Sequence, residues 1–303
     1  MSYHVPVLLH ESVEALDIKP DGVYVDVTFG GGGHSSEILK HLKNGKLYSF
    51  DQDADAEKQS EKLDHPGFNF VKANFRYLKK YLRLYRVNEV DGVLADLGVS
   101  SHQFDTSERG FSTRFDGPLD MRMDPESPLS AADVVNTYAE EDLHRIFGIY
   151  GEVKNARTLA RVLVAQRAKQ SIETIADFKN AIASVTPKGK EFKYWAQVFQ
   201  ALRIEVNDEL KALEEMLQQA SDLLKPGGRL VVISYHSLED RMVKNFMAKG
   251  KFFGEVEKDF FGNEIKPLDV LTRKPVLPTD EELQVNNRSR SAKMRIAVKR
   301  ATK

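Results

Sequence analysis

The chain has 303 residues, a formal net charge of −1 at pH 7 and no cysteine. Its hydrophobic fraction of 41% suffices for a packed core. No apolar run approaches the ~18 residues that a membrane span needs, so we expect a cytoplasmic protein without a signal peptide or a membrane partner. The missing cysteines exclude disulfides, thiolate metal sites and a thiolate nucleophile. The length predicts two domains, or one large domain with an insertion.

The first predicted strand, residues 23–27, leads into four consecutive glycines, Gly30–Gly33. Glycines permit positive φ angles and remove the Cβ atoms that would hold a ligand away from the backbone. A helix is predicted to follow and to continue through residues 37–42, with Ser35 or Ser36 as its N-cap. The pattern predicts a pocket of the nucleotide-binding type.

The spacing of this loop differs from two common nucleotide-binding motifs. The dinucleotide fingerprint G-x-G-x-x-G fails because, counted from Gly30, its last glycine position holds Ser35, and no Gly-Lys-Ser/Thr of a P-loop follows. Asp51, at the end of the second predicted strand, is placed to accept hydrogen bonds from ribose hydroxyls. An acidic Asp26 would favour the ammonium and sulfonium charges of S-adenosylmethionine. The geometry suits S-adenosylmethionine as well as NAD, and the missing fingerprint makes an NAD-dependent dehydrogenase the disfavoured alternative.

Four predicted βα units indicate a parallel sheet with ligands at the carboxyl ends of its strands, where Asp26, Asp51, Phe75 and Asp96 fall. Helical patterns then interrupt the alternation, and a long helix is predicted over residues 195–224 before the sheet resumes. We expect the last two strands to form an antiparallel hairpin that closes the sheet. The predicted strands lie at residues 23–27, 46–50, 68–71, 92–95, 229–233, 269–272 and 293–298, and the predicted helices of the interruption at 140–150, 155–169 and 175–185.

This organisation predicts three segments. Residues 1–104 form the first part of the main domain, residues 105–205 an inserted helical domain, and residues 206–303 the second part with a basic C-terminal tail. Residues 150–205 hold ten Lys and Arg against five Asp and Glu, and residues 286–303 hold seven against none. Basic segments on an otherwise acidic protein are typical of binding to a polyanion and indicate a nucleic-acid partner.

Five segments, in order over nearly the whole chain, resemble one enzyme family. With the Pro-Gly-Gly turn before the fifth large strand, the chain resembles class I S-adenosylmethionine-dependent methyltransferases, and most closely the bacterial 16S rRNA (cytosine-N4)-methyltransferases, the RsmH/MraW family. The resemblance implies an α/β fold, a Rossmann-like class I methyltransferase sheet with an inserted mainly helical domain. The segments are Thr28–Ser35, Ala95–Ser101, Trp195–Asn207, Ile233–Arg241 and Asn287–Arg295.

The resemblance also implies which residues bind the cofactor S-adenosyl-L-methionine. Asp51 would accept from the ribose, Phe75 would stack on or beside adenine, and Asp96 would lie near the methionine part or the target amine. No metal site is expected. The residues that match the family's cofactor-binding positions are Gly32, Gly33, His34, Asp51, Phe75, Asp96 and Gln103.

The chemistry can be argued from the residues as well. Methylation of pyrimidine carbon 5 normally needs a cysteine nucleophile, so its absence indicates a nitrogen or oxygen acceptor. An exocyclic amine has a delocalised lone pair, so the enzyme must orient it and accept hydrogen bonds from its N–H groups. Asp96 is the leading candidate for that acceptor. The sequence there reads Asp-Leu-Gly-Val instead of the Asp-Pro-Pro-Tyr type of motif, and Tyr235 and His236 are the candidates for contact with a flipped cytosine.

The expected function is methylation of N4 of a cytidine in the decoding region of 16S rRNA, as free RNA or within the small ribosomal subunit. The inserted domain would recognise the RNA, since helical spacing places Lys154, Arg157 and Arg161 on one helix face and Leu159 and Leu163 on another. Two alternatives stay open: methylation of another nitrogen acceptor in RNA or protein, and a noncatalytic RNA-binding ribosome assembly factor. The sequence leaves the oligomeric state open.

Overall fold

A computed structural model describes residues 6–301 of the chain. Its strands are short where the sequence alternates with helices and longest where the sheet resumes after the insertion. The strands of the described part are Val23–Asp26 (β1), Lys46–Asp51 (β2), Phe68–Lys72 (β3), Val90–Asp96 (β4), Leu224–Ser234 (β5), Glu257–Lys258 (β6), Glu264–Ile265 (β7), Leu268–Val270 (β8) and Lys293–Lys299 (β9).

Helices connect these strands and make up most of the insertion. Among residues 6–301, none of them combines the length and the apolar character that a membrane span requires. The α-helices are Leu9–Ala15 (α1), Gly33–His41 (α2), Ala54–Ser60 (α3), Leu78–Leu84 (α4), Ser101–Asp105 (α5), Ala131–Thr137 (α6), Glu140–Ile149 (α7), Ala156–Arg167 (α8), Ile175–Ile182 (α9), Glu191–Asn207 (α10), Glu209–Leu223 (α11), Ser237–Lys249 (α12) and Asp280–Val285 (α13), and the 3₁₀ turns are Phe75–Tyr77, Ser107–Arg109, Ala183–Val185 and Asn287–Ser291.

Seven strands form one sheet in the order β3-β2-β1-β4-β5-β9-β8. The first five in this order are parallel, and β9 is antiparallel to both β5 and β8. The predicted fold class is therefore confirmed, including the antiparallel closure by the last strands. The strand order reverses between β1 and β4, and ligands of such sheets bind in the crevice at the carboxyl ends of the strands at this reversal.

Helices cover both faces of the sheet, and apolar residues of the inner strands fill a core on each face. In β4, Val93 and Ala95 pack in a core with residues of α4, α11 and α12, whereas Leu94 between them packs in a second core with residues of α1 and α2. Successive residues of a strand point to opposite faces, so a continuous apolar run is needed to fill both cores.

The chain divides into two compact units. The first comprises Met1–Gly98 with Leu210–Lys303 and contains the sheet, and the second comprises Val99–Glu209. The second unit is mainly helical and has a core of its own, which includes the fully buried Phe147, Leu159 and Phe178. The predicted insertion, residues 105–205, lies inside the second unit.

The predicted long helix over residues 195–224 is wrong. Two helices, α10 and α11, occupy this stretch, and Asp208 between them has a φ of 48°. A right-handed helix cannot pass through this left-handed conformation, which short polar residues such as Asp tolerate better than most. Leu224, the predicted last helical residue, already belongs to β5.

The basic C-terminal segment contains an inner strand of the sheet, so residues 293–299 are not a tail. Strand β9 lies between β5 and β8. Arg295, 7% exposed, donates from Nε and Nη2 to the two carboxylate oxygens of Asp240 at 2.7 and 3.1 Å. Arg300 donates from Nε to Asp269 at 3.0 Å. Because these charges are paired within the protein, the segment offers fewer free cations than its composition suggests.

Candidate active site

The candidate site is built at the carboxyl ends of three neighbouring parallel strands. Asp26, Asp51 and Asp96 are the last residues of β1, β2 and β4, which lie in the order β2-β1-β4. The parallel direction brings these three carboxylates to one edge of the sheet, at the point where the strand order reverses.

The glycine loop that follows β1 is held by Asp51. The backbone N–H of Gly30 donates to Oδ2 of Asp51 at 2.8 Å, and that of Asp53 donates to Oδ1 at 2.9 Å. A carboxylate has about four lone-pair positions, so each oxygen of Asp51 can still accept a ligand hydroxyl. Burial raises the pKa of Asp51 to about 6.

Two positions of the loop require glycine. Gly32 has a φ of +78°, and a Cβ there would lie 2.7 Å from Cζ of Phe29. A Cβ on Gly33 would lie 2.1 Å from Cγ of Pro6. The predicted N-cap is wrong, since Gly32 holds that position without a side-chain cap, and Ser35 lies inside α2.

Asp26 is almost fully buried and ties the end of β1 to the start of α2. Its Oδ2 accepts a hydrogen bond from the Ser35 hydroxyl at 2.7 Å, and its Oδ1 accepts from the Thr28 backbone N–H at 3.1 Å. Thr28 Oγ1 in turn accepts from the backbone N–H of Asp96 at 2.7 Å. Burial raises the pKa of Asp26. The network joins the glycine loop to the end of β4.

Asp96 has one oxygen committed to a partner in the protein. The Tyr235 hydroxyl donates to Oδ1 at 2.6 Å, while Oδ2 lies 3.8 Å from Nδ1 of His34, and 22% of the side chain remains exposed. Burial raises the pKa of Asp96 to about 6. The pKa of Tyr235 lies well above its usual value because of burial and the neighbouring Asp96 charge. Tyr235 therefore stays a neutral donor to the carboxylate.

His34 is oriented by the backbone. Its Nε2 lies 3.1 Å from the carbonyl oxygen of Val7, a contact that requires a hydrogen on Nε2. That hydrogen bond turns Nδ1 toward Asp96. The side chain is buried and belongs to the first turn of α2.

The remaining predicted residues occupy different places. Phe75 begins the 3₁₀ turn after β3 and packs, partly buried, on the core of the first unit. His236 is the N-cap of α12, and its Nε2 lies 3.1 Å from a carboxylate oxygen of Glu239. Gln103 belongs to the second unit, where it forms a capping box with Ser100 at the start of α5.

The hydrogen bond between Asp96 and Tyr235 was not anticipated from the sequence. The pairing of β4 with β5 places Asp96 opposite Ile233, so Tyr235 follows two residues beyond that register position. A register argument on adjacent parallel strands could have predicted the contact. The capping box of Gln103 had its own pattern, a Ser followed three residues later by Gln.

The site residues fit S-adenosylmethionine better than a phosphate-bearing ligand. Three carboxylates at one edge suit the ammonium and sulfonium charges and the ribose hydroxyls, whereas they would repel phosphates. Both oxygens of Asp51 keep lone pairs for ribose hydroxyls beside their backbone donors.

Comparison with known proteins decides the family. The model of the MraW methylase family matches residues 1–300. The chain belongs to the MraW methylase family. The family predicted from the five sequence segments is thereby confirmed.

Individual relatives cover nearly the whole chain. A protein of Cytophaga hutchinsonii, named ribosomal RNA small subunit methyltransferase H, is 60% identical over 295 residues, which is 97% of this chain and 99% of the relative. A protein of the same name from Parabacteroides distasonis is 60% identical over 299 residues, 98% of this chain and 97% of the relative. An rRNA methylase structure from Streptococcus thermophilus overlaps 99% of this chain and 100% of its own at 13% identity, with a TM-score of 0.43.

Proposed function

We propose that this methylase transfers the methyl group of S-adenosylmethionine to N4 of a cytidine in the decoding region of 16S rRNA. Membership of a methylase family and relatives named as small-subunit rRNA methyltransferases support the reaction and the substrate class. The observation that carries the assignment of the chemistry is the carboxylate of Asp96, held by Tyr235 at the reversal of strand order.

The first unit supplies a place for the cofactor, which when bound would provide an electrophilic methyl group on sulfonium. The carboxylate of Asp51 can accept hydrogen bonds from ribose hydroxyls while it also accepts from the backbone N–H groups of Gly30 and Asp53. The ring of Phe75 is partly exposed near the end of β3 and can contact adenine. The positive φ of Gly32 sets the shape of the loop, and His34 keeps α2 fixed to the chain at Val7.

Asp96 acts on the target amine. Tyr235 occupies Oδ1, which leaves the lone pairs of Oδ2 to accept an N–H of the amine and orient the nitrogen lone pair. As the nitrogen gains its new bond, its remaining hydrogens become acidic. A carboxylate with a pKa of about 6 can hold such a proton transiently and release it to water at neutral pH.

The second unit offers a basic surface for the rRNA backbone. On α8 and just before it, Arg157, Arg161 and Lys154 are exposed, while Leu159 and Leu163 are fully buried in the core. Because these cations are exposed, they can bind phosphates of the RNA while the apolar core beneath them stays packed. Phosphate contacts position an RNA and do not specify its sequence.

The test is transfer of labelled methyl from S-adenosylmethionine to small ribosomal subunits that lack this modification, followed by nucleoside analysis. N4-methylated cytidine at a single site supports the proposal. Label in another nucleoside or in protein would overturn the assigned acceptor. Measurable cofactor binding without any label would favour a noncatalytic assembly factor instead.

A further inference from the structure

An exposed phenylalanine lies among lysines at the start of α10. The side chain of Phe192 is 78% exposed, although it belongs to the first turn of a helix whose other side is buried in the second unit. Lys188 and Lys190 precede it in the connecting loop, Lys193 follows it, and all three are exposed. We call residues 188–195 the α10 platform.

The ring of Phe192 is held in place from one side. It meets the ring of Trp195 edge to face, with ring centroids 5.5 Å apart and an interplanar angle of 81°. Trp195 is itself fixed by Lys179, whose Nζ lies 4.7 Å from the indole centroid. An aromatic ring that is anchored at one edge and otherwise open to solvent has a face available for stacking.

The charges of the platform are not used within the protein. In the described part of the chain, no ion pair joins Lys188, Lys190 or Lys193 to a carboxylate. The single acid here is Glu191, whose Oε1 accepts from the backbone N–H of Gly189 at 2.8 Å. Three lysines and one glutamate give residues 188–193 a net charge of +2.

We propose that the α10 platform binds a single-stranded segment of RNA, with one unpaired base stacked on Phe192 and neighbouring phosphates at the three lysines. The inference rests on the proposed function, which makes RNA the substrate. A solvent-facing aromatic ring surrounded by unpaired cations is the combination by which proteins bind single strands without reading their sequence. A protein partner would need an apolar pocket for Phe192 and several acids around it, so the charge favours RNA.

The first experiment measures the affinity of a fluorescently labelled single-stranded uridine oligonucleotide for wild-type protein and for Phe192→Ala. We expect the dissociation constant of Phe192→Ala to rise by about fivefold or more, because stacking of one base is lost. Phe192→Tyr keeps the ring and should bind like wild type. Phe260→Ala removes an exposed ring, 98% exposed against 78% for Phe192, from the first unit and serves as the control.

Trp195 reports on the place of binding, since it is the single tryptophan of the chain. Saturation with the unlabelled oligonucleotide should change its fluorescence. Replacing Lys188, Lys190 and Lys193 together by Gln should lower the slope of log affinity against log salt concentration by about 2, at about 0.7 per phosphate contact of a single strand.

Three results would overturn the proposal: equal RNA affinity of Phe192→Ala and wild type, no response of Trp195 at saturation, or a loss of binding by Phe192→Ala to intact subunits but not to protein-free rRNA. The last result would mean a protein contact. Failure of the proposed function would be a distinct result. In that case the wild-type protein binds RNA through Phe192 but transfers no methyl group to it.

Discussion

Some residues of the site have a structural role and a ligand-binding role at the same time. Asp51 holds the glycine loop through the backbone N–H of Gly30, accepts a second backbone hydrogen bond from Asp53, and is also the candidate for ribose recognition. Asp26 uses both oxygens inside the protein, so its contribution to a cationic ligand is the field of its charge and not a direct contact. Substitution of either residue is therefore expected to disturb the loop as well as the ligand.

At Asp96 and Tyr235 the effect of a substitution on the chemistry can be separated more clearly from its effect on the structure. Asp96→Asn should lower kcat by about 10²–10³-fold. A neutral amide stabilises the positive charge that develops on the amine less well than a carboxylate does, and it cannot take up the proton. The KM for S-adenosylmethionine should rise by a smaller factor, because one negative charge near the sulfonium is lost. Steady-state kinetics on small subunits check both values, and an unchanged kcat at saturating cofactor would remove Asp96 from the chemistry.

Tyr235→Phe should lower kcat by about tenfold, since one hydrogen bond to the carboxylate is lost. Loss of this donor also raises the pKa of Asp96, so the acid limb of the pH profile of kcat should move to higher pH. A mere packing role for Tyr235 would leave that limb in place, because phenylalanine keeps the ring.

The pH dependence of cofactor binding follows from burial. Asp51 and Asp96 have pKa values raised to about 6, so both are largely charged above pH 7 and largely protonated below pH 5. The affinity for S-adenosylmethionine should fall as the pH drops through 6, as calorimetry between pH 5 and 8 would show. Asp96→Asn should flatten part of this dependence, and a flat wild-type profile would contradict the raised pKa values.

The same two groups act in the opposite direction on stability. A carboxyl whose pKa is higher in the folded than in the unfolded state stabilises the fold at a pH below its unfolded value, and this contribution is lost as the pH rises through about 6. The two carboxylates are therefore charged for ligand binding in the same pH range in which their charges lower the stability of the fold.

At the scale of elements, α2 depends on a close approach that only glycine permits. Gly33→Ala would place a Cβ 2.1 Å from Pro6 Cγ, so we expect the free energy of unfolding to fall by about 1–3 kcal/mol and cofactor affinity to fall with it. Denaturant titration checks the first value and calorimetry the second.

Gly148→Ala is the matched control within α7. The nearest atom to a Cβ there is 3.7 Å away, so the gain in helix propensity should raise the free energy of unfolding by about 0.5–1 kcal/mol. Equal destabilisation by both substitutions would mean that contact with Pro6 is not the cause.

The elements themselves were largely predictable, for a local reason. Strands β1 to β4 lie within a residue or two of their predicted bounds, because apolar runs bounded by turn residues carry the information. The break between α10 and α11 was missed, since the apolar periodicity continues through Asp208 and only the backbone turns there. The role of Ser35 was missed because its partner Asp26 lies on another element.

At the scale of the whole molecule, the net charge of −1 hides where positive charge is free. Arg295 of β9 is paired with Asp240 and Arg300, just after β9, with Asp269, whereas Arg157 and Arg161 on α8 are exposed. The amino-acid composition gave residues 150–205 and residues 286–303 the same weight as basic segments. Only the tertiary structure distinguishes cations that are paired within the protein from exposed ones.

Replacing Arg157 and Arg161 together by Gln should weaken rRNA binding and lower its salt slope by about 1.4, at about 0.7 per contact with a single strand. Binding titrations over a range of salt concentrations measure both the affinity and its salt slope. Lys58→Gln, on α3 in the first unit, removes an exposed cation outside the insertion and should leave the slope unchanged. Equal slopes for all three proteins would place the RNA surface elsewhere.

The sequence by itself determined the family, the parallel sheet, the glycine loop and the acids at the strand ends, because each depends on residues close together in the chain. The tertiary structure decided that Tyr235 donates to Asp96, that Asp51 holds the glycine loop, and that Asp240 of α12 pairs with Arg295 of β9. These contacts join residues far apart in sequence, and their geometry exists only once neighbouring strands have paired in register.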